Sequence, residues 1–308
     1  MNKSKALKFN QKKTSFFSKY GATCCFLLPW LLLFIFFTVI PIICAVVLSF
    51  TDFDMAQTPN FVGIRNYLSL LLDDETFIKS LSNTLFFALV TGPAGYLISY
   101  IVAWLINEVP SKFWRSLLTL VFYSPALAGS AYMLWNFIFN GDSYGMLNSV
   151  LVNLGVISKP VQWLTDPEYN SIVVVIVTLW MSMGVGFLSF VAGFKQLNGE
   201  LYEAGAIDGV TNRWQELWYI TLPQMVPQLK IGAVLAISSA FAVGGVNAAL
   251  TGNPSTDYST HTILLHMLDY GYGKYEMGYA SAIAVVLFVM MVGSWLLIHK
   301  VLNRFSSD

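Results

Sequence analysis

The chain has 308 residues, of which 56% are hydrophobic, 15% aromatic and only 11% charged, against roughly 25% charged in soluble proteins. A soluble core of this size cannot hide so much apolar surface, because core burial saturates as domains grow, so lipid must be part of the solvent. Seventeen Lys and Arg balance seventeen Asp and Glu, which excludes a partner held by bulk charge, such as nucleic acid.

Residues 1–22 form a basic tail. The uncharged run that follows, Thr23 to Phe50, is far longer than the ~7–15 residues of a signal-peptide core and lacks a small-x-small cleavage site. It reads as a retained membrane span. Cys24, Cys25 and Cys44 all fall in it without disulfide, metal or redox spacing, and are expected as buried small hydrophobes.

Counting from this run, 23–50, six long uncharged stretches occur, the others being 80–106, 116–139, 171–194, 231–250 and 279–299. At ~1.5 Å per residue each can cross a ~30 Å hydrocarbon core as a helix. Pro29, Pro41, Pro93 and Pro125 fall inside them, where neighbouring helices can satisfy the freed carbonyls. The expected fold is therefore an all-α integral membrane protein, with residues 23–308 as one six-span domain.

Orientation follows from the basic residues. With the N-terminus inside, the inner segments hold thirteen Lys and Arg, among them Lys112, Arg115, Lys195, Arg213 and Lys230. The outer segments hold four: Arg65, Lys79, Lys159 and Lys274. That asymmetry places both termini in the cytoplasm.

None of the six stretches contains Asp, Glu, Lys or Arg. Ion-coupled carriers usually place such groups at the midplane, so an ion-coupled secondary carrier or channel for a neutral solute stands as the alternative only because backbone carbonyls can also bind Na⁺. A membrane enzyme would need a catalytic cluster, and no His/Asp/Glu or Cys/His spacing supplies one. No G-x-x-x-x-G-K-[ST] loop is present either: Gly273-Lys274 is followed by Tyr275. If transport is ATP-driven, the ATP is bound elsewhere.

The inner stretch of about 195–230 is too long for a plain connection and too patterned for a disordered one. Leu201 to Ile207 reads as a short helix with a small-residue face, and Asp208-Gly209 as a turn. Trp214, Leu217, Trp218 and Thr221 then recur at i, i+3, i+4 and i+7, a helical stripe, which Leu222-Pro223 and Pro227 end before the next span. Two short helices joined by a rigid corner are expected.

Glu203-Ala204-Gly205, Asp208-Gly209 and Ile220-Thr221-Leu222-Pro223 resemble the E-A-A-x-x-x-G loop of permease subunits in binding-protein-dependent ABC importers. The fuller run EAGAIDGVTNRWQELWYITLPQMVP resembles the carbohydrate, maltose-type branch. Phe61 to Tyr67, Ser82-Asn83-Thr84, Leu250 to Pro254 and Met277 to Ala280 agree, so the resemblance covers nearly the whole chain. It departs at Gly205, where the motif has a second Ala, at Leu217, where Phe is common, and at Phe241 to Gly245, where polar and aromatic residues are common.

The resemblance implies a six-helix type I importer bundle in a bacterial or archaeal plasma membrane. The loop is then a coupling helix on an ATPase subunit, with Glu203, Ala204, Gly205, Ala206, Asp208, Gly209, Leu222 and Pro223 at the dock. It implies a second homologous permease chain, two copies of the ATPase, which hold ATP and Mg, and an extracellular solute-binding protein. This chain itself would carry no cofactor and no catalytic residue, with a carbohydrate, in particular an oligosaccharide, as substrate. Sugars are held by aromatic faces and neutral hydrogen-bonding groups. The path candidates inside the spans are therefore Tyr123, Tyr132, Trp135, Asn136, Trp180, Ser238, Ser239 and Asn247. Gly184, Gly186, Gly244 and Gly245 read as close-packing or hinge points. His261 and His266 stand five apart, off the spacing that shares a helix face, so no metal site is expected there. Tyr258, Tyr270, Tyr272, Tyr275 and Tyr279 form an outer aromatic rim, suited to a sugar-binding protein or equally to the membrane interface.

Overall fold

The computed structural model describes residues 16–304 of the chain, so the tail before residue 16 and the last four residues lie outside the described part. Two compact units are present, residues 1–47 and 48–308.

In the first unit, α1 (Phe16–Phe34) runs through a π-turn (Ile35–Val39) into α2 (Ile40–Leu48). Pro29 removes one backbone donor inside α1, and the stretch Cys25–Leu48 is long and apolar enough to cross a membrane. Cys25 and Cys44 are free thiols exposed on this helix, not buried as expected. A helix solvated by lipid has no need to hide its apolar side chains.

The second unit is a helical bundle built around one long strut. After α3 (Arg65–Leu72), α4 (Glu75–Asn107) runs unbroken for 33 residues, with Asp74 accepting the Phe77 N–H at its start. Its buried Ser80, Thr84 and Thr91 donate to the carbonyls of Phe77, Ser80 and Phe87, satisfying hydroxyls that have no water to turn to. Against α4 pack α8 (Pro167–Met181), α9 (Val185–Lys195) and α13 (Val226–Phe241), and α16 (Met277–Arg304) packs on α13. Gly232 lets α13 approach the Phe190 ring of α9 so closely that any Cβ would overlap it.

Among the described residues, four helical stretches are long and apolar enough to cross a membrane: Cys25–Leu48, Glu75–Asn107, Pro167–Lys195 and Met277–Lys300. A fifth exists if the pair Arg213–Gln224 and Val226–Phe241, bent by 81°, is one span. Three of the six expected stretches are not single helices, one of them 171–194, which breaks at Ser182 to Gly184 between α8 and α9. Residues 116–139 divide into α5 (Lys112–Leu127) and α6 (Met133–Ile138), with Gly129 at φ +57° between them. At ~1.5 Å per residue α5 reaches only about 24 Å. Residues 231–250 divide into α13 and α14 (Gly245–Thr251), separated by Ala242 to Gly244. Glycine is the weakest non-proline helix former, and uncharged composition alone does not reveal such a break.

Two of the connections between helices are tied by side-chain amides. Within α7 (Met146–Asn153), the fully buried Asn148 shares its two amide hydrogens among the carbonyls of Asn140, Asp142 and Val161 and accepts from the Trp163 indole. Asn83 on α4 donates to the carbonyls of Tyr258 and His261. This fixes the segment that leads into α15 (Ile263–Leu268), followed by a π-turn (Asp269–Gly273).

Candidate functional site

Two places gather the residues singled out from the sequence. The first is the loop of about 195–230. Helix α10 (Gly199–Ile207) starts at Asn198, whose side chain accepts the Glu200 N–H, and ends at Asp208. Gly209 follows at φ +93°, a conformation that L side chains rarely adopt. Asn212 then caps α11 (Arg213–Glu216), which continues through a π-turn (Leu217–Thr221) into α12 (Leu222–Gln224) before the bend at buried Met225.

Three contacts strap α10 to this second helix. Tyr202 and Thr221 share a 2.7 Å hydroxyl bond, Gln224 accepts the Asn198 N–H at 3.0 Å, and Gly205 faces Ile220. Arg213 bridges Glu216 at 2.7 Å and Glu108, at the end of α4, at 3.5 Å. The small residues therefore divide their work: Gly205 packs inward against its own chain, while Glu203, Ala204 and Ala206 face out. Ile207 is 87% exposed beside them. Leu222 packs on the core below and Pro223 is exposed.

The expected apolar stripe on the second helix is split. Leu217 and Thr221 are buried, whereas Trp214 and Trp218 are 70% and 66% exposed. The π-turn shifts the register of the helix by one residue at this point, and Trp214 meets the Trp104 ring, 5.4 Å away.

The second place is a cavity of about 480 Å³ between α4, α8, α9 and α13. Thr91, Gly95 and Ser99 line it from α4, Thr178 and Ser182 from α8 and its end, and Ser238 and Ser239 from α13. No Asp, Glu, Lys, Arg or His lines it. Ser238 and Ser239 donate to the carbonyls of Val234 and Leu235, so their oxygen lone pairs remain for another donor. The buried Thr178 hydroxyl has no partner within the described protein.

Of the eight path candidates, Tyr132, Ser238 and Ser239 line this cavity. Trp135 instead stacks on Phe139 at 5.6 Å and meets Trp180 edge-on at 5.5 Å, in a packed aromatic cluster. Asn136 donates to the Ala249 carbonyl, and the fully buried Asn247 to that of Thr260. Tyr123 lines a different cavity beside Lys112 and Lys195. Sequence reasoning missed Thr91, Ser99 and Thr178, although Thr91, Gly95 and Ser99 recur every four residues, a small polar face on one helix.

His261 and His266, whose rings lie 5.6 Å apart, belong to a third cluster. Asp74 accepts from His266 Nε2 at 2.9 Å and from the Tyr279 hydroxyl at 3.0 Å. Burial opposes its ionisation, but the bonds from Phe77 N–H, His266 and Tyr279 together hold its carboxyl below the ordinary range. His261 is fully buried with both ring nitrogens unpartnered. That burial pushes its pKa down to about 4, against the pull of Asp269 Oδ2 at 3.7 Å.

Residues 85–304 match the model of the family described as the binding-protein-dependent transport system inner membrane component. The arabinooligosaccharides transport system permease protein AraP of Bacillus subtilis (strain 168) is 29% identical over 295 residues, spanning 95% of this chain and 92% of AraP. The trehalose/maltose transport system permease protein MalF of Thermococcus litoralis is 29% identical over 285 residues, spanning 92% and 93%. A chain of a bacterial alginate ABC transporter, solved with a periplasmic protein bound to an alginate pentasaccharide, superposes with a TM-score of 0.78. It covers 95% of this chain and 97% of that one at 24% identity, a likeness that concerns the fold.

Proposed function

Because the chain belongs to the binding-protein-dependent transport system inner membrane component family, as the membrane-spanning permease subunit of an ABC importer, we propose that its cargo is a neutral oligosaccharide. The carrying observation is the cavity: hydroxyls from three helices and the Tyr96 and Tyr132 rings line it, and no charged side chain does. Such a lining matches the neutral hydroxyls and apolar ring faces of a sugar. It offers no cation to a carboxylated one. Relatives named for arabinooligosaccharides and for trehalose and maltose support the same class.

In this reading the permease is a six-span type I bundle with both termini inside, the divided segments 112–138 and 226–251 each serving as one crossing. ATP hydrolysis belongs to the partner ATPase. The loop of about 195–230 docks there through Glu203, Ala204, Ala206 and the exposed Ile207, while Gly205 and Gly209 set the direction of α10. A second permease chain completes the path, and an extracellular binding protein delivers the sugar. ATP-driven closure of the ATPase pair then moves α10 and tilts the helices around the cavity.

The test is uptake into proteoliposomes holding this chain with its partner permease, ATPase and binding protein. Uptake of neutral oligosaccharides should require internal-facing ATP and the binding protein and should ignore ion gradients. Uptake driven by an ion gradient without ATP would establish the secondary carrier instead.

A further inference from the structure

Lys112, Arg115 and Lys195 share a cavity of about 550 Å³ where α5 begins and α9 ends, completed by Ser116, Thr119 and Tyr123. On α5 these residues fall at i, i+3, i+4, i+7 and i+11 from Lys112, a single helical face. No carboxylate lines the cavity, and among the described residues none of the three cations is in an ion pair. Glu108, the carboxylate at the end of α4, is engaged with Arg213. Arg115 donates from Nε and Nη2 to the Val109 carbonyl at 3.3 and 2.8 Å. That pins the guanidinium and leaves its Nη1 hydrogens for another acceptor.

Three like charges around one hollow repel each other and call for a counter-anion. Among the described residues the chain does not provide it. The asymmetry that sets membrane orientation needs basic residues on one side, but it does not require cations from two helices to share a cavity. Alongside this face, α5 exposes an apolar strip: Phe113 at 69%, Trp114 at 55%, Leu120 at 57% and Val121 at 54%. Cations at the end of a span beside exposed aromatic and aliphatic side chains match a phospholipid, which is anionic at its head and apolar below.

We propose that this cavity binds the headgroup of an anionic phospholipid, with the phosphate between Lys112, Arg115 and Lys195. Ser116 donates to an ester oxygen, Thr119 spends its hydroxyl hydrogen on the Arg115 carbonyl, and the acyl chains run along Leu120 and Val121. The site is separate from the uncharged cavity between α4, α8, α9 and α13 and does not depend on the nature of the cargo.

Native mass spectrometry of the intact transporter assembly, after incubation with vesicles of phosphatidylglycerol or of phosphatidylcholine, reads this binding. Phosphatidylglycerol should be retained and phosphatidylcholine lost. Lys112→Gln and Lys195→Gln should each weaken retention about fivefold, the contribution of one basic residue at an anionic surface. Lys112→Arg with Lys195→Arg should keep it, and Lys79→Gln should leave it unchanged. Subunit stoichiometry in the same spectra identifies any variant that fails to assemble. Equal retention of the two lipids, or full retention in an assembled Lys112→Gln/Lys195→Gln variant, overturns the proposal. So does displacement by inorganic phosphate with the potency of the lipid, which would make the site one for a soluble anion.

Discussion

Gly205 and Ile220 meet where the two short helices of the inner loop cross: a Cβ on Gly205 would stand 2.5 Å from the Ile220 Cδ1. Ile220 thus occupies the space that a side chain at position 205 would need. Gly205→Ala alone gains up to about 1 kcal/mol of helix propensity but must displace Ile220, and overpacking costs about 1–3 kcal/mol. Ile220→Val removes the obstructing methyl. The double variant should therefore be at least as stable as the wild type, and more stable than Gly205→Ala, in thermal unfolding of the assembled complex. Additive effects of the two changes would mean that the contact is not felt.

Ser239→Trp should abolish uptake without harming assembly, because Ser239 is exposed and lines the uncharged cavity. Asn247→Ala should do the reverse. It leaves the buried Thr260 carbonyl without its 2.7 Å donor, at a cost of about 1–3 kcal/mol, and should lower the unfolding midpoint while the folded fraction still transports. Transport assays paired with thermal unfolding separate the two. Normal uptake by assembled Ser239→Trp would remove α13 from the path.

The long helices were legible from uncharged runs because lipid imposes length and apolarity together. The α10 corner was legible because Asp208-Gly209 has only a few backbone options. The breaks after Leu127 and Phe241 were not, since Gly129 and Gly244 look the same whether they pack helices or interrupt them. Trp135, Asn136 and Asn247 have the chemistry of sugar contacts, yet stacking on Phe139 and bonds to Ala249 and Thr260 use them in packing. Composition cannot distinguish a polar group facing a cavity from one satisfying a neighbouring backbone. Position can, and the four-residue recurrence of Thr91, Gly95 and Ser99 was the available signal.

His261 makes the outer segment acid-sensitive. Its folded pKa is lowered to about 4 from 6.5, so the unfolded chain takes up a proton that the folded chain refuses. Stability contributed by this site is complete above about pH 6.5 and declines as pH falls toward about 4. Asp269, Asp74 and His266 are the charged or titratable groups facing it. Asp74, lowered from 3.8, loses its own contribution only at still lower pH. His261→Phe, which keeps a ring where neither nitrogen has a partner, should abolish the decline between about pH 6.5 and 4. Hydrogen exchange in α15 across that range measures it, and a flat wild-type profile would contradict the assignment.

The topology proposed from the basic asymmetry is one that labelling can check. Single cysteines at Asn140 and Asn253, in a chain with Cys24, Cys25 and Cys44 replaced by Ser, should react with an impermeant maleimide added outside intact cells. One at Asn212, which caps α11, should react only after permeabilisation. Outside labelling at Asn212 would invert the proposed orientation and move the loop away from any cytoplasmic ATPase.

Gly209 carries the sharpest test of coupling. A Cβ there would meet nothing within 4 Å, and the backbone sits at φ +93°, so any substitution acts through backbone strain and not through a clash. A β-branched residue forced into this region costs about 1–2 kcal/mol, which turning α10 away from its present direction would relieve. Gly209→Val should insert normally, since no span changes, yet lose sugar-stimulated ATP hydrolysis in lipid and either release the ATPase subunits or uncouple them. Gly209→Asn should be much milder, because Asn tolerates positive φ better than other side chains. Glu203→Ala should also be mild, because it removes one exposed polar group and leaves the corner intact. Equal damage from Val and Asn would point to side-chain bulk at a partner surface instead of backbone direction. Wild-type assembly and stimulation in Gly209→Val would mean that this loop does not transmit the ATPase stroke.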